Sequence, residues 1–377
     1  MLSSALTYQH EFDRRARVAL AGCGGQAFRN ILPSFRYAPL DLVATCDPVP
    51  GRAADYAKLY GAADSFDDLG KMLASVEIDA VFLATGYDEN SAPRHPDQAI
   101  QVMESGRDVW MEKPAAATAR DVERMHETSE RTGRLAGVGL MKMFSPAVTR
   151  VHEIIQRPEF GRPSSFFIRD PEALPAPGSR DDATMMWLLD HLPHPASVVH
   201  RLMGPISRIS VERAHNGAAF LVMSFTSGAS GVWHMAWGQS ELSNMERIEV
   251  VGEGANVVVD NNSRVTYYRP GHHGDGSGGY GRIGDYTSPL DEAPLHWEVN
   301  QYSGQPYNAN VFVQGYAQEI NYFAQRLLDR APVRIGGLAD AWHVARLFEA
   351  VRAIGDEAVD LPEAPAWAAA TTAGAAS

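Results

Sequence analysis

The chain has 377 residues, 45% of them hydrophobic, and a net charge of −13 at neutral pH. This length predicts two or three domains with full hydrophobic cores. The acidic balance argues against a nucleic-acid surface, and no apolar run approaches the ~20 residues that a membrane-spanning helix needs. The only cysteines, Cys23 and Cys46, give no disulfide framework. We therefore expect them to be small buried residues of a protein in a reducing compartment.

A glycine-rich turn follows the first apolar run. Val18 to Ala21 leads into Gly22, Gly24 and Gly25, and a helix is predicted from Gly25 onward. A strand, a glycine turn and a helix are typical of the start of a dinucleotide-binding βαβ unit. Gly22 permits the tight turn, and Gly24 leaves room for a pyrophosphate at the helix N-terminus. Ala27 occupies the third position of the pattern, where a small residue lets helix and strand pack closely.

A second apolar stretch, Leu40 to Cys46, ends at Asp47. This carboxylate follows Ala27 by about twenty residues, where the pattern places an acid for the ribose 2′-hydroxyl. Because a carboxylate repels a 2′-phosphate, Asp47 favours NAD over NADP, although Arg52 nearby keeps NADP open. The alternative for Asp47 is a turn residue before Pro48.

Apolar strands continue to alternate with helices up to about residue 140. The alternation predicts a parallel sheet with helices on both faces. Pro33 is expected to break or kink the first helix. The further predicted elements, in chain order, are helices at 51–60 and 65–74 (capped by Ser65), a strand at 79–85, a helix at 92–105, a strand at 108–111, a helix at 118–132 and a strand at 135–140.

Beyond residue 145 the pattern changes to strands without intervening helices. This arrangement predicts a second α/β domain with a large, mostly antiparallel open sheet. The predicted helices are 145–156, 181–203 (interrupted by prolines), 308–329 and 338–356, and the predicted strands are 164–169, 206–213, 217–226, 230–238, 245–251 and 254–260. We expect a Rossmann dinucleotide-binding domain over 16–136, a substrate-binding and oligomerisation domain over 137–362, a disordered tail over 363–377, a loose arm over 1–15 and a long loop over 270–290.

Thr85, Glu112 and Lys113 each come just after the end of a predicted strand. In an open α/β sheet, ligands bind beyond the carboxyl ends of the strands. Lys113 is therefore placed to hold a substrate hydroxyl or carbonyl beside the cofactor. The alternative is a surface lysine before a proline.

Asp190 and His194 form a second candidate pair. An unbroken helix would put them on one face, but Pro193 disfavours helix at the residue before it. We therefore expect one segment to end near His191 and a second to begin near Pro195, with the junction presenting both side chains. A histidine beside a carboxylate is suited to proton transfer, and a structural histidine at the junction is the alternative. The spacing matches no common zinc pattern, so a metal site is disfavoured.

Together these motifs resemble the Gfo/Idh/MocA family, the glucose–fructose oxidoreductase and inositol dehydrogenase group. The resemblance covers about residues 16–360. Its most specific element is Glu112-Lys113-Pro114, the family's EKP motif. The other matching segments are the glycine turn Gly22–Ala27, Asp47-Pro48, Thr85-Gly86 with His95, the stretch from Gly139 to Pro146, and Asp190-x-x-x-His194.

The resemblance implies a tightly held nicotinamide cofactor, NAD with NADP not excluded, and hydride transfer at a secondary hydroxyl or keto carbon of a sugar, cyclitol or glycoside. By that resemblance Lys113 binds and polarises the reacting oxygen, His194 moves its proton, Asp190 orients substrate or His194, and Lys142 joins these three in binding substrate. The implied cofactor-binding residues are Gly22, Gly24, Gly25, Gln26, Ala27, Asp47, Thr85, Gly86, His95, Glu112 and Lys113.

The family also implies a homodimer or homotetramer with a small-molecule carbohydrate or cyclitol substrate. No nucleic-acid, membrane or metal partner is expected. Arg14-Arg15 is a weak export-like pair, but the apolar segment after it is the first strand, so a cytoplasmic location is favoured.

Three positions depart from the family pattern, namely Met143, Leu192 and Ser197. They leave the substrate open. Two other functions stay open as well: a glycoside hydrolase that uses bound NAD transiently, and a non-catalytic sugar or nucleotide sensor. The presence of both Lys113 and His194 disfavours the sensor.

Overall fold

The computed structural model describes residues 12–240, 242–270, 294–299 and 309–369. Within them the chain forms a six-stranded sheet and a nine-stranded sheet. The arm predicted at 1–15 lies largely outside the described residues, as do the loop predicted at 270–290 and the end of the predicted tail.

The first sheet is parallel throughout. Its strand order is β3-β2-β1-β4-β5-β6, so the order reverses between β1 and β4 and opens a crevice at their carboxyl ends. The predicted parallel sheet is confirmed, with the short β3 as an additional edge strand. The strands are β1 (Ala16–Ala21), β2 (Leu40–Cys46), β3 (Asp64–Phe66), β4 (Ala80–Leu83), β5 (Asp108–Met111) and β6 (Ala136–Val138).

Helices connect these strands and cover the sheet. Thr118 caps the last of them by accepting a hydrogen bond from the Asp121 N–H. Ser65 was expected to cap the third helix, and that expectation is wrong. Ser65 pairs with Thr45 in the sheet, and Asp68 is the cap, accepting from the Lys71 N–H. The helices are α1 (Leu32–Phe35), α2 (Arg52–Tyr60), α3 (Leu69–Ser75), α4 (His95–Glu104) and α5 (Ala119–Thr132).

Pro33 changes the first helix without ending it. A wider π-helical segment, Ala27–Ile31, comes directly before α1, and Pro33 lies in the first turn of α1. A proline ring collides with the carbonyl four residues earlier in a regular α-helix. That carbonyl lies within the π-helical segment, and this segment is the predicted kink.

The second sheet is mostly antiparallel and open, as predicted. Its order is β14-β13-β12-β11-β7-β10-β9-β8-β15, and only β7 and β10 run parallel. The strands β13, β14 and β15 were not predicted. The strands are β7 (Ser165–Asp170), β8 (Ile206–Arg213), β9 (Ala219–Phe225), β10 (Ser230–Met235), β11 (Arg247–Val251), β12 (Asn256–Asp260), β13 (Arg264–Tyr268), β14 (Leu295–Glu298) and β15 (Val359–Asp360).

One face of this sheet packs against helices α6 (Pro146–Ile155), α7 (Asp182–His191) and α8 (Pro193–Met203). Ser145 caps α6, as its sequence predicts. The break expected between α7 and α8 is smaller than predicted. Leu192 keeps right-handed helical angles of −50° and −36°. The Leu192 N–H still bonds to the Leu188 carbonyl, so Pro193 begins the second helix with little change of course.

The C-terminal helices are α9 (Asn310–Val313), α10 (Tyr316–Asp329), α11 (Leu338–Ala353) and α12 (Ala366–Ala369). A single helix was predicted over 308–329. Gly315 divides it, because its φ is +101° and a β-carbon there would lie 2.2 Å from the Met141 carbonyl oxygen. Residues 366–369 were expected to be disordered, yet they form α12, in which Ala368 is fully buried and Trp367 stacks on His126.

Helices α10 and α11 also complete the core of the first sheet. Ile320 and Phe323 of α10 join the cluster that contains Leu20 and Phe82, and Trp342 of α11 joins the cluster on the other side. Packing therefore crosses the boundary that we predicted near residue 136.

Candidate active site

The glycine turn after β1 has the geometry of a phosphate cradle. Gly22 has φ +96°, and a β-carbon there would lie 2.3 Å from the Ala84 carbonyl oxygen. A β-carbon on Gly24 would meet no atom within 4 Å. Gly22 is therefore required by the fold, whereas Gly24 borders open space where a ligand can approach the backbone.

Asp47 is buried beside this turn. One carboxylate oxygen accepts a hydrogen bond from the Cys23 N–H at 2.8 Å, and the other accepts one from the Val49 N–H at 2.9 Å. Arg52 lies 3.5 Å from the second oxygen. A carboxylate has four lone-pair positions, so Asp47 holds the turn and retains capacity for a ribose hydroxyl.

Thr85 and His95 face each other across the end of β4. The Thr85 hydroxyl donates to Gln98 Oε1 at 2.6 Å, and His95 Nδ1 lies 2.9 Å from the Pro114 carbonyl oxygen. Burial lowers the pKa of His95 to about 4, so its imidazole is neutral at pH 7. His95 therefore links the helix α4 to the segment that carries Lys113. Gly86 lies between them, with open space where a β-carbon would be.

Glu112 is buried at the base of the crevice. Gln26 donates to its Oε1 at 2.8 Å, and the Lys113 N–H donates to its Oε2 at 3.0 Å. The same Gln26 amide lies 3.2 Å from the Tyr316 hydroxyl. Burial raises the pKa of Glu112, against the opposing effect of Lys113. Glu112 and Gln26 thus connect the helix after the glycine turn with α10 and with the backbone of Lys113.

Lys113 reaches across to helix α7. Its Nζ donates to the Asp190 backbone carbonyl and to Asp190 Oδ1, both at 3.0 Å. The Tyr87 hydroxyl donates to the same Oδ1 at 3.2 Å. An ammonium group has three N–H donors, so one remains for a substrate oxygen. The structure thus joins the two sequence motifs that contain Lys113 and Asp190.

His194 lies close to this pair. Burial, followed by the positive charges of Lys113 and Lys142, lowers the pKa of His194 well below its usual range. Its Nδ1 is buried and has no hydrogen-bond partner among the described residues. The imidazole is therefore neutral at pH 7 and able to accept a proton. The Asp190 carboxylate contacts Lys113 and Tyr87, and the expectation that it orients substrate or His194 stays a prediction.

Lys142 is buried among carboxylates, and its positive charge contributes to lowering the pKa of His194. Its Nζ lies 2.6 Å from Glu246 Oε1 and 3.7 Å from Asp170 Oδ2. Burial lowers the pKa of Lys142, but the two carboxylates more than offset that effect, so the pKa is raised overall. Lys142 therefore stays charged.

Asp170 and Glu172 form a buried carboxyl pair next to Lys142. Burial raises the pKa of Asp170 to about 6, although Lys142 opposes this. Burial and the negative charge of Asp170 raise the pKa of Glu172 to about 8. The pair therefore retains a proton at neutral pH, because two adjacent buried carboxylates resist double ionisation.

Four of these contact residues were missed in the sequence: Tyr87, Asp170, Glu172 and Glu246. The position of Asp170 at the end of β7 is a signal that the sequence offered, since β7 was predicted. Glu246 precedes β11 in an irregular segment and has no comparable signal.

Both cysteines are buried and unbridged, as expected. Burial raises the pKa of each thiol to about 12, so neither is a reactive thiolate. Within the described residues, no group of three or more metal-ligating side chains occurs. No described helix is long and apolar enough to cross a membrane.

Solved structures share this fold. A dehydrogenase from Chromobacterium violaceum has a TM-score of 0.71 at 24% identity, covering 90% of this chain and 94% of its own. An oxidoreductase from Agrobacterium radiobacter, solved with NAD⁺, L-tartaric acid and magnesium, has a TM-score of 0.70 at 15% identity, covering 92% and 98%. At these identities the similarity establishes the fold.

Curated relatives match less than half of the chain. A 4-carboxy-2-hydroxymuconate-6-semialdehyde dehydrogenase of Sphingobium is 32% identical over 139 residues, which are 37% of this chain and 42% of the relative. The scyllo-inositol 2-dehydrogenase (NAD(+)) of Bacillus subtilis is 30% identical over 169 residues, or 44% and 47% of the two chains. The chain spans less than half the length of these relatives.

Residues 16–140 match the family described as "Oxidoreductase family, NAD-binding Rossmann fold". The match extends from the first strand, through the glycine turn and the Glu112-Lys113-Pro114 motif, to the start of the second sheet's helices. It confirms the nicotinamide-binding domain that the sequence predicted. Over these residues the chain is thus similar to the NAD-binding Rossmann domains of this oxidoreductase family.

Proposed function

We propose that the protein is an NAD-dependent dehydrogenase that interconverts a secondary alcohol and a ketone on a sugar or cyclitol. The observation that carries the proposal is the meeting of Lys113, Asp190 and the neutral His194 beside the carboxyl ends of β4 and β5. Such a site holds an alcohol oxygen and removes its proton.

The residues fit a nicotinamide dinucleotide. The open space above Gly24 suits the pyrophosphate, the buried carboxylate of Asp47 suits a ribose hydroxyl, and Thr85, Gly86, His95 and Glu112 form the wall towards the nicotinamide. The N-terminal end of the helix after the turn favours the negative charge of the phosphates. When bound, the cofactor accepts or donates the hydride.

Lys113 and His194 take different parts of the same step. The third N–H of Lys113 binds the reacting oxygen and stabilises negative charge that develops there. His194 accepts the hydroxyl proton as the carbon loses its hydride, and returns it when the ketone is reduced. Asp190 is a positioning residue, because it holds Lys113 by its other contacts, and Tyr87 supports Asp190 by donating to its Oδ1.

A polyol suits the remaining wall of the site. A substrate with several hydroxyl groups requires hydrogen-bond donors and acceptors close together. The wall provides them in Lys142, Asp170, Glu172 and Glu246. The inositol dehydrogenase of Bacillus subtilis acts on such a compound, which supports a cyclitol or sugar here. We also propose Lys142 as a substrate-binding residue.

Nicotinamide absorbance tests the proposal directly. The purified protein is mixed with NAD or NADP and with inositols, hexoses, sugar acids and glycosides. We expect NADH formation with NAD and one polyol class. Lys113→Met and His194→Asn should each lower kcat by about a hundredfold or more, with NAD affinity retained. NAD binding without turnover of any of these compounds contradicts the proposal.

The same assays distinguish the alternative functions. Release of an aglycone from a glycoside with no net NADH identifies a redox-assisted hydrolase. Sugar binding that Lys113→Met and His194→Asn leave unchanged, with no chemistry in any tube, identifies a sensor. Turnover with NADP alone contradicts the role assigned to Asp47.

A further inference from the structure

A cavity of about 380 Å³ lies away from the glycine turn and from Lys113. It is bordered by the end of α6, the C-terminal half of α8, the hairpin between β9 and β10, and the segment leading into α11. Its charged and titratable lining residues are Arg162, Arg201, Arg334, His152, His200 and Asp340.

The cavity is basic in an acidic protein. Three guanidinium groups face one carboxylate, although the whole chain has a net charge of −13. Among the described residues, the guanidinium groups of Arg162, Arg201 and Arg334 form no ion pair within 4.0 Å, although the Arg162 backbone N–H donates to Glu253 Oε2 at 3.3 Å. Arg208, outside the cavity, is paired with Asp360. Asp340 is directed to His200, whose Nε2 lies 3.4 Å away. None of the three guanidinium groups is therefore ion-paired within the described part of the chain; the charge of Asp340 raises the pKa of Arg201, but burial lowers it more.

Arg201 shows the strongest imbalance. Its Nε is buried and has no hydrogen-bond partner among the described residues. Burial lowers the pKa of Arg201, and the positive charge of Arg201 in turn contributes to lowering the pKa of His152 to about 4. A buried guanidinium N–H without an acceptor is costly, and an anion in the cavity would supply the acceptor.

We propose that this cavity binds a phosphoryl group, carried by a small metabolite of about the size of a sugar phosphate. Guanidinium groups match phosphate oxygens in bidentate pairs, and several of them together select for a multiply charged anion. The volume accommodates a hexose phosphate and is too small for a dinucleotide. The site is separate from the proposed cofactor site and does not depend on the proposed reaction.

Calorimetric titration of the NAD-saturated protein tests this inference. The titrants are glucose 6-phosphate, inorganic phosphate, glucose and citrate. Because Arg162 and Arg334 are exposed, Arg162→Gln and Arg334→Gln should leave the fold intact, which thermal unfolding verifies. Arg208→Gln, an exposed arginine outside the cavity, is the matched control.

We expect glucose 6-phosphate to bind, glucose not to bind, and each cavity variant to weaken binding about tenfold or more while Arg208→Gln binds normally. Tighter binding of the ester than of inorganic phosphate identifies a sugar phosphate as the ligand, and equal binding identifies phosphate itself. Three results overturn the inference: no binding of either phosphate, equal weakening by Arg208→Gln, or tighter binding of citrate than of the ester.

Discussion

Asp47 has a structural role and a proposed ligand-binding role. It holds the glycine turn through the Cys23 N–H, and it occupies the position where an acid binds the ribose. The Arg52 guanidinium lies 3.5 Å from this carboxylate. The ion pair neutralises the positive charge with which Arg52 could bind a 2′-phosphate.

Asp47→Ser should therefore shift cofactor preference. The repulsion of a 2′-phosphate disappears, and Arg52 becomes free to bind it. We expect the ratio of NADP to NAD affinity to rise about tenfold or more, measured by quenching of tryptophan fluorescence. Adding Arg52→Gln to the same variant should remove the part of the gain that Arg52 supplies. An unchanged ratio in Asp47→Ser would show that specificity lies elsewhere.

Glu172 makes stability depend on pH. Its folded pKa, raised to about 8, exceeds the ordinary value of 4.5, so the folded protein holds this proton more tightly than the unfolded chain does. The stabilisation is complete below the ordinary value and is lost as the pH rises through about 8. Glu172→Gln keeps the shape and removes the titration.

We expect the unfolding temperature of Glu172→Gln, relative to the wild type, to rise between pH 5 and pH 8.5 by about 2 °C or more. Glu212→Gln, at an exposed position in β8, serves as the control and should show no such change. A difference that stays constant with pH would mean that Glu172 titrates normally.

The sequence predicted the residues that follow strand ends and missed those that tertiary packing brings in. Thr85, Glu112 and Lys113 follow predicted strands of a parallel sheet, and position alone made them candidates. Asp170 and Glu246 meet at Lys142 from segments that are 76 residues apart. Asp170 at the end of β7 offered a signal that was missed, whereas the pairing of Glu246 with Lys142 has no local signal in the sequence.

At the scale of elements, the turn after β1 contains one glycine that the fold requires and one that borders space for a ligand. Gly22 is fixed by its positive φ and by the Ala84 carbonyl, whereas Gly24 has neither constraint. Gly22→Ala should therefore lower stability by at least about 2 kcal/mol.

Gly24→Ala is the matched variant. Its free energy of unfolding should stay close to that of the wild type. NAD affinity should fall, because the added methyl group enters the space assigned to the pyrophosphate. Chemical denaturation and calorimetric NAD titration measure the two effects. Normal NAD binding by Gly24→Ala would place the pyrophosphate away from this turn.

Elements with local signals were predicted well. Thr118 and Ser145 cap the helices that their sequences indicate, and the kink at Pro33 appears as a π segment. Of the missed strands, β3, β14 and β15 are short edge strands, whereas β13 lies between β12 and β14. Leu192 stays helical because the packing of α7 and α8 overrides the local effect of Pro193.

For the whole molecule, the outer face of the nine-stranded sheet suggests self-association. Phe220 and Val222 of β9 are 45% and 40% exposed, and Phe220 stacks on His234 of the next strand. Exposed apolar residues adjoining on one sheet face favour an interface. We propose that a second copy of the chain covers this face in a dimer or tetramer.

The double variant Phe220→Asp/Val222→Asp should convert the oligomer to a monomer, as measured by light scattering after size-exclusion chromatography. Leu59→Asp is the control, because Leu59 is also exposed and apolar but lies on α2. A wild-type monomer, or an oligomer that survives the double variant, contradicts this interface.

The two C-terminal helices that complete the first core have a consequence for biosynthesis. Strand β6 ends at Val138, but Ile320 and Phe323, which close the core around Leu20 and Phe82, are translated about 180 residues later. During synthesis, one apolar face of the first sheet stays exposed until α10 has left the ribosome. The core beneath the glycine turn is therefore closed only after α10 has been translated, and a chain that ends before α10 would leave this apolar face exposed.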